Sequence, residues 1–336
     1  MKWMGLFGVA LLALPSLAFA DASQGFGSVF NMFFGTQSDE TSTASCNEPT
    51  DGNQGLLGTV NMVFCHLEND MGIKTIGKAT KQFTQNGQTI AVKCDVEAAT
   101  SGSYANTASC WVCAASGCST SSADSSFVAL MNLSWTYTKG SVNKGQLLMD
   151  NGAFQGTSGQ TGMDITWDLS SSPASPCTGG NQCVTGKAIF SGSNGSGGTA
   201  SFPMALAAQK NASTNVRSAQ MVMGASIMQM VLNMSENTSS NDVLVNFEQA
   251  SVPSCSNGMD AIQSGTTADS SCTQCFTRTA SSTDFTYATA SASTCTSLSL
   301  SALPDSAANV GSYTFATVMT PSGGSEWNGM AANPTF

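Results

Sequence analysis

The chain of 336 residues contains a single histidine, His66. Serine and cysteine triads need an imidazole base beside the nucleophile. His66 stands next to Cys65, a cysteine expected in a disulfide, so such a triad is not expected. Positive charge is also scarce: 11 Lys and Arg face 21 Asp and Glu, for a net charge of −10. A polyanion repels such a chain, and no nucleic-acid partner is expected. Charged residues of either sign make up only 10%, yet 41% of residues are hydrophobic. That balance does not fit a disordered chain and is enough for a sizeable core. After the first 20 residues no stretch approaches the roughly 18 apolar residues of a membrane-spanning helix. No transmembrane segment is expected once the leader is removed.

That leader is the opening "MKWMGLFGVALLALPSLAFADASQ". Lys2 precedes an apolar run through Leu17, and Ala18 and Ala20 form an A-x-A pattern before Asp21, the pattern of a secretory signal peptide. The chain is therefore expected to be secreted or periplasmic, with association with the cell surface as a further expectation. Its 12 cysteines follow the leader, an even number. Oxidising compartments turn such sets into disulfides. Cys110, Cys113 and Cys118 crowd into "ASCWVCAASGC", and a second C-x-x-C joins Cys272 to Cys275. Zinc would need two distant pairs brought together, and a redox dithiol would sit in a βαβ context. Haem attachment is excluded by Ala114 and Phe276, which take the place of histidine after each C-x-x-C. The expectation is structural bridges of short span: Cys94, Cys110, Cys113 and Cys118 among themselves, Cys255, Cys272, Cys275 and Cys295 likewise, and the pairs Cys46 with Cys65 and Cys177 with Cys183. Similar spacing in the two clusters raises a duplication as an alternative to chance.

Periodicity changes along the chain. Leu56, Val60, Val63, Phe64, Leu67 and Met71 recur at helical spacing, with Gly72 as a stop, and Phe26, Val29, Phe30 and Phe33 mark a shorter helix. After residue 78 the period becomes two. Asn86-Gly87 fits a two-residue turn that pairs Gln85 with Gln88 and Phe83 with Ile90. Leu133, Trp135 and Tyr137, then Met163, Ile165, Trp167 and Leu169, alternate with polar residues, as in strands with one wet face. Further strands are expected near 144–149, 186–191, 199–207, 243–249 and 312–319. The fold class expected is mainly β: antiparallel sheet with one or two N-terminal amphipathic helices, stapled by disulfides. The expected organisation is a signal peptide over 1–20, a short helix and polar linker over 21–54, a helix plus antiparallel β domain over 55–250, and a cysteine-containing β region over 251–336 packed on it.

Candidate sites are few. Asp164 and Asp168 share a strand face but lie roughly 13 Å apart, wider than the carboxyl pairs of glycosidases. They read as a solvated face, as do His66, Glu68 and Asp70 on their helix. No catalytic set, metal site or cofactor is expected. The sharpest feature is "NVRSAQMVMGASIMQMVLNMSEN", with Met221, Met223, Met228, Met230 and Met234. As a hairpin turning near Gly224 to Ile227 it pairs Met223 with Met228 and Met221 with Met230, placing all five on one face. A single helix is the alternative conformation. Methionine fills irregular cores and adaptable apolar pockets, and thioethers also suit Cu(I). These five are the candidate ligand-binding residues. Sequons at Asn132, Asn194, Asn211, Asn233 and Asn237 matter if the host glycosylates.

The leading expectation is a non-enzymatic exported β-rich protein of the cell surface or periplasm that acts by binding or as structure, with an unknown protein or apolar ligand as partner. The first alternative is a carrier of a lipid or other apolar ligand on the Met-lined sheet face. The second is a glycan-acting enzyme whose carboxylates the fold brings together.

Overall fold

Alternating apolar and polar residues, broken every ten or so positions by Gly, Asn and Ser, leave the chain one economical arrangement, a meander in which each strand pairs with the next. A computed structural model shows this arrangement. It describes residues 60, 63, 66–73, 76–85, 88–99, 104–114, 117–138, 141–155, 158–170, 172–173, 177, 179–193, 199–211, 213–225, 228–249, 272–279, 286–300, 310, 312–320 and 334. The strands are β1 Gly77–Gln85, β2 Gln88–Ala98, β3 Asn106–Cys113, β4 Val128–Thr138, β5 Ser141–Asp150, β6 Gly162–Asp168 and β7 Gln182–Ser193. There follow β8 Thr199–Asn211, β9 Val216–Ala225, β10 Met228–Asn237, β11 Asp242–Gln249, β12 Thr273–Thr279 and β13 Thr286–Thr289. All 13 form one sheet in sequence order, antiparallel throughout. The sheet crosses residue 250, since β12 pairs with β11.

The first hairpin has Phe83 opposite Ile90 and Gln85 opposite Gln88, the register expected from the sequence. β9 and β10 pair as two antiparallel strands, not one helix, with Ala225 opposite Met228. This corrects the expected register: Met223 faces Met230, Met221 faces Leu232, and Met228 faces Ala225. The slip is by two residues, which preserves the face of every position. The short helix expected over 26–33 lies outside the described residues. Of the longer one, Val60 and Val63 are helical and His66–Asp70 is a π-helical turn. The strand expected near 312–319 is instead a helical turn, Phe315–Val318. Thr314 caps it by accepting from the Thr317 amide at 3.2 Å, an N-cap that diverts the chain from extension.

Both faces of the sheet are covered. On one, a single apolar core runs from Ile90 and Val92 of β2 to Phe276 of β12, joined by Val60, Val63 and Leu67. On the other, Val318 and Met319 pack on Leu148 and Ile189, while Val310 packs on Ala205, Val222 and Val231. This second contact corrects the expectation of a wet face. Asp164 and Asp168 share it and are only 6% and 4% exposed.

Trp135, Gly145 and Trp167 stand side by side on β4, β5 and β6. A Cβ on Gly145 would lie 2.3 Å from the Trp167 ring and 2.7 Å from the Ser134 carbonyl, so glycine there makes room for the indole. Both tryptophans belong to the core.

Candidate functional site

Strand register turns separate sequence features into rows that cross the sheet. On the apolar face one row runs Cys94, Cys110, Met131, Met149, Met163, Ala188, Met204, Met223, Met230 from β2 to β10. Adjacent strands are about 4.8 Å apart, so the residues of this row are register neighbours, with one interruption of the sulfur-containing positions at Ala188. Met131, Met149, Met163, Met204 and Met223 are all buried. Sequence reasoning found only the β9–β10 end of this row, because Met131, Met149, Met163 and Met204 are scattered along the chain and only register brings them into line. Of the five methionines singled out from the sequence, Met221, Met223 and Met234 are buried in the apolar core, and Met228 and Met230 sit in register at Ala225 and Met223.

At the β2 end of the row lies a small cavity of about 20 Å³, lined by Val63, His66, Leu67, Met71, Phe83, Val92, Cys94, Cys110, Leu130 and Met131. Three local irregularities build it. The roof is the π-helical turn, closed by the Met71 amide on the His66 carbonyl at 2.9 Å and the Ile73 amide on the Leu67 carbonyl at 2.8 Å. Gly72 ends the turn at φ +75°, a conformation that favours glycine. The floor is a β-bulge. Cys110 pairs with Met131 but Trp111 pairs with Ala129, so Leu130 is the extra residue and both it and Met131 line the cavity. The side wall is the Cys94–Cys110 disulfide, which joins directly opposed residues of β2 and β3.

His66 in the roof corrects the expectation of a solvated helix face: it is 4% exposed, and its Nδ1 contacts the Asp70 carboxylate. Burial holds its pKa below the usual 6.5, against the pull of Asp70.

Three more bridges join Cys113 to Cys118, Cys177 to Cys183 and Cys275 to Cys295, and Cys272 is also disulfide-bonded. Cys46, Cys65 and Cys255 lie outside the described residues. Cys110 and Cys113 are bonded to different partners, so the pair is not a dithiol centre. Cys110 and Cys113 fall at the end of β3, whereas Cys275 lies near the start of β12 with Cys272 just before it. The two clusters thus sit in opposite strand contexts, against a duplication of one unit. No group of three His, Cys, Asp or Glu residues suited to a metal occurs among the described residues.

The opposite face carries a polar row: Thr107, Ser134, Gln146, Thr166, Thr185, Ala207, Gln220, Asn233, Asn246, Thr273. Only Ala207 breaks it. Gln146 donates to Asp164 at 2.9 Å, and Asn246 donates to Thr273 at 3.3 Å. The carboxylates here are held by separate donors. Asp168 accepts from the Ser170 amide at 3.0 Å and hydroxyl at 2.6 Å, and Asp150 accepts from the Ser158 hydroxyl at 2.5 Å and the Gly159 amide at 2.8 Å. Burial raises the pKa of Asp150. Asn132 and Asn233 of the sequons are buried within strands. Asn211 and Asn237 are spent on turns, accepting from the amides of Ser213 and Ser239, each at 2.9 Å.

No protein-family model, curated protein or solved structure gives a significant match to the chain. No described helix is long and apolar enough to cross a membrane.

Proposed function

We propose that this is an exported, non-enzymatic protein of the cell surface or periplasm that acts by binding, with its single disulfide-pinned sheet as the scaffold. The observation that supports it best is the set of bridges themselves. Four of them close loops of 5 to 20 residues along the sheet, and such bridges persist in oxidising compartments. The test is fractionation of the native host combined with thiol alkylation before and after reduction. The expected result is a chain that lacks residues 1–20, is found outside the cytoplasm and has no alkylatable thiol before reduction. Folded protein in the cytoplasm with free thiols contradicts the reading.

A second reading, a carrier of a lipid or other apolar ligand on the sulfur-lined face, is favoured by one observation. The methionine row meets a cavity lined, apart from His66, by apolar and sulfur-containing side chains. Methionine side chains have the freedom to repack around an irregular guest.

A further inference from the structure

We infer that the cavity beneath the His66–Asp70 turn is the entry of a binding site for a long-chain carboxylate, whose alkyl tail runs along the methionine row and whose head group meets Lys81. The inference rests on the exported-binder reading and gives it a ligand class.

Three departures from regular structure converge on this one point: a π-helical turn as roof, a bulge at Leu130 as floor and a directly cross-strand disulfide as wall. π-helical turns and bulges are costly and concentrate at functional sites. At about 20 Å³ the cavity accepts only a water-sized guest as it stands. Met71 and Met131 in its lining are unbranched side chains that repack more readily than branched ones, and behind Met131 the next two strands again present methionine, Met149 and Met163. An unbranched chain suits a lane one side chain wide. The neighbouring row, Leu133, Leu147 and Ile165, is branched and fully buried, and so forms a stiff bank.

The head group follows from the rim. Lys81 on the outer strand β1 is exposed, lies two residues from the lining Phe83 and stands opposite the lining Val92. A cation on the same sheet face as the lining Phe83 and Val92 favours an anionic amphiphile over a neutral one, the Asp70 carboxylate being engaged by His66. An exposed pair of this kind is worth only a few-fold in affinity.

Titration of the full secreted chain, purified without detergent, with cis-parinaric acid tests this. Saturable one-to-one binding is expected. Met131→Phe, which fills the lane at its mouth, should weaken binding by about tenfold or more, while Met131→Leu should keep it within a few-fold. Lys81→Gln should weaken the carboxylate about three- to fivefold and leave dodecanol, measured by displacement, unchanged. Absence of saturable binding up to about 100 μM by wild-type protein shown to be folded by circular dichroism overturns the inference. Equal binding by Met131→Phe does the same. Should that variant fail to fold, photo-crosslinking of the wild type with a diazirine fatty acid decides. Adducts on Val63, His66, Leu67, Met71, Phe83, Val92, Leu130 or Met131 support the site, and adducts confined elsewhere refute it. Failure here with export and oxidised cysteines intact leaves the broader reading standing, whereas a cytoplasmic, reduced protein removes that reading whatever the titration gives.

Discussion

His66 shows how burial sets the chemistry of a single residue. Its folded pKa lies below the 6.5 of an open histidine because desolvation outweighs the Asp70 carboxylate. Well above pH 6.5 the imidazole is neutral in both states and contributes no pH dependence. As pH falls below that value the unfolded chain takes up a proton that the folded chain resists, so stability is lost through mildly acid pH. His66→Gln should flatten that part of the denaturant midpoint against pH curve, and an unchanged slope would show that the histidine is not desolvated. Asp150 works in the opposite sense. Its folded pKa is raised by burial, so the folded state holds its proton more tightly than the unfolded state. The favourable contribution is present in acid and is lost as pH rises through the carboxylate range. Asp150→Asn keeps an acceptor for Ser158 and Gly159 and should leave stability at pH 7 within about 1 kcal/mol of wild type or above it. A loss well beyond that in urea titrations would mean the charge itself is needed. Gly145 is a third point where one residue decides. Gly145→Ala drives a Cβ into Trp167 and the Ser134 carbonyl, and should cost about 1 to 3 kcal/mol with a shift in tryptophan emission.

Among the elements, the strands were the most legible part of the sequence, because alternation at 133–137 and 163–169 and the Asn86-Gly87 turn each carry a local signal. The β9–β10 hairpin was legible in kind and face but not in register. A two-residue turn fits equally well at neighbouring positions, so nothing local in the sequence chooses between the two registers. The Leu130 bulge and the π-helical turn leave no pattern in the sequence, since each is set by what packs across from it. Thr314 was the available sign that 312–319 ends in a helical turn, and apolar spacing outweighed it. The bridges also act on this scale. Removing Cys94 and Cys110 together by alanine should cost about 3 kcal/mol, for a separation of 16 residues, against about 2 kcal/mol for Cys113 and Cys118, separated by 5. Chemical denaturation of the two double variants measures both, and the reverse order would show that strain or core packing dominates loop closure.

For the whole molecule, the sequence made a mainly antiparallel fold legible but concealed that both faces are covered. Asp164 and Asp168 read as a solvated face because a polar side chain reads the same in water and in a buried hydrogen-bonded setting. The burden of the polar row falls on register. A one-residue slip of any strand would carry its amides and hydroxyls to the apolar face and its methionines to the polar one. The two rows thereby specify one pairing of the meander, and the sulfur row is the face left adaptable. A core of Leu and Ile would be stiffer, and on this account Met149→Leu should be tolerated at under about 1.5 kcal/mol while Met149→Ala costs about 2 to 5 kcal/mol. Native mass spectrometry of the protein taken from its own host without detergent tests the central claim most directly. The account expects every cysteine bridged and one long-chain carboxylate retained per chain, released when the bridges are reduced. A clean unliganded mass with all bridges intact would contradict the ligand assignment, and free thiols in the native protein would contradict the exported scaffold itself.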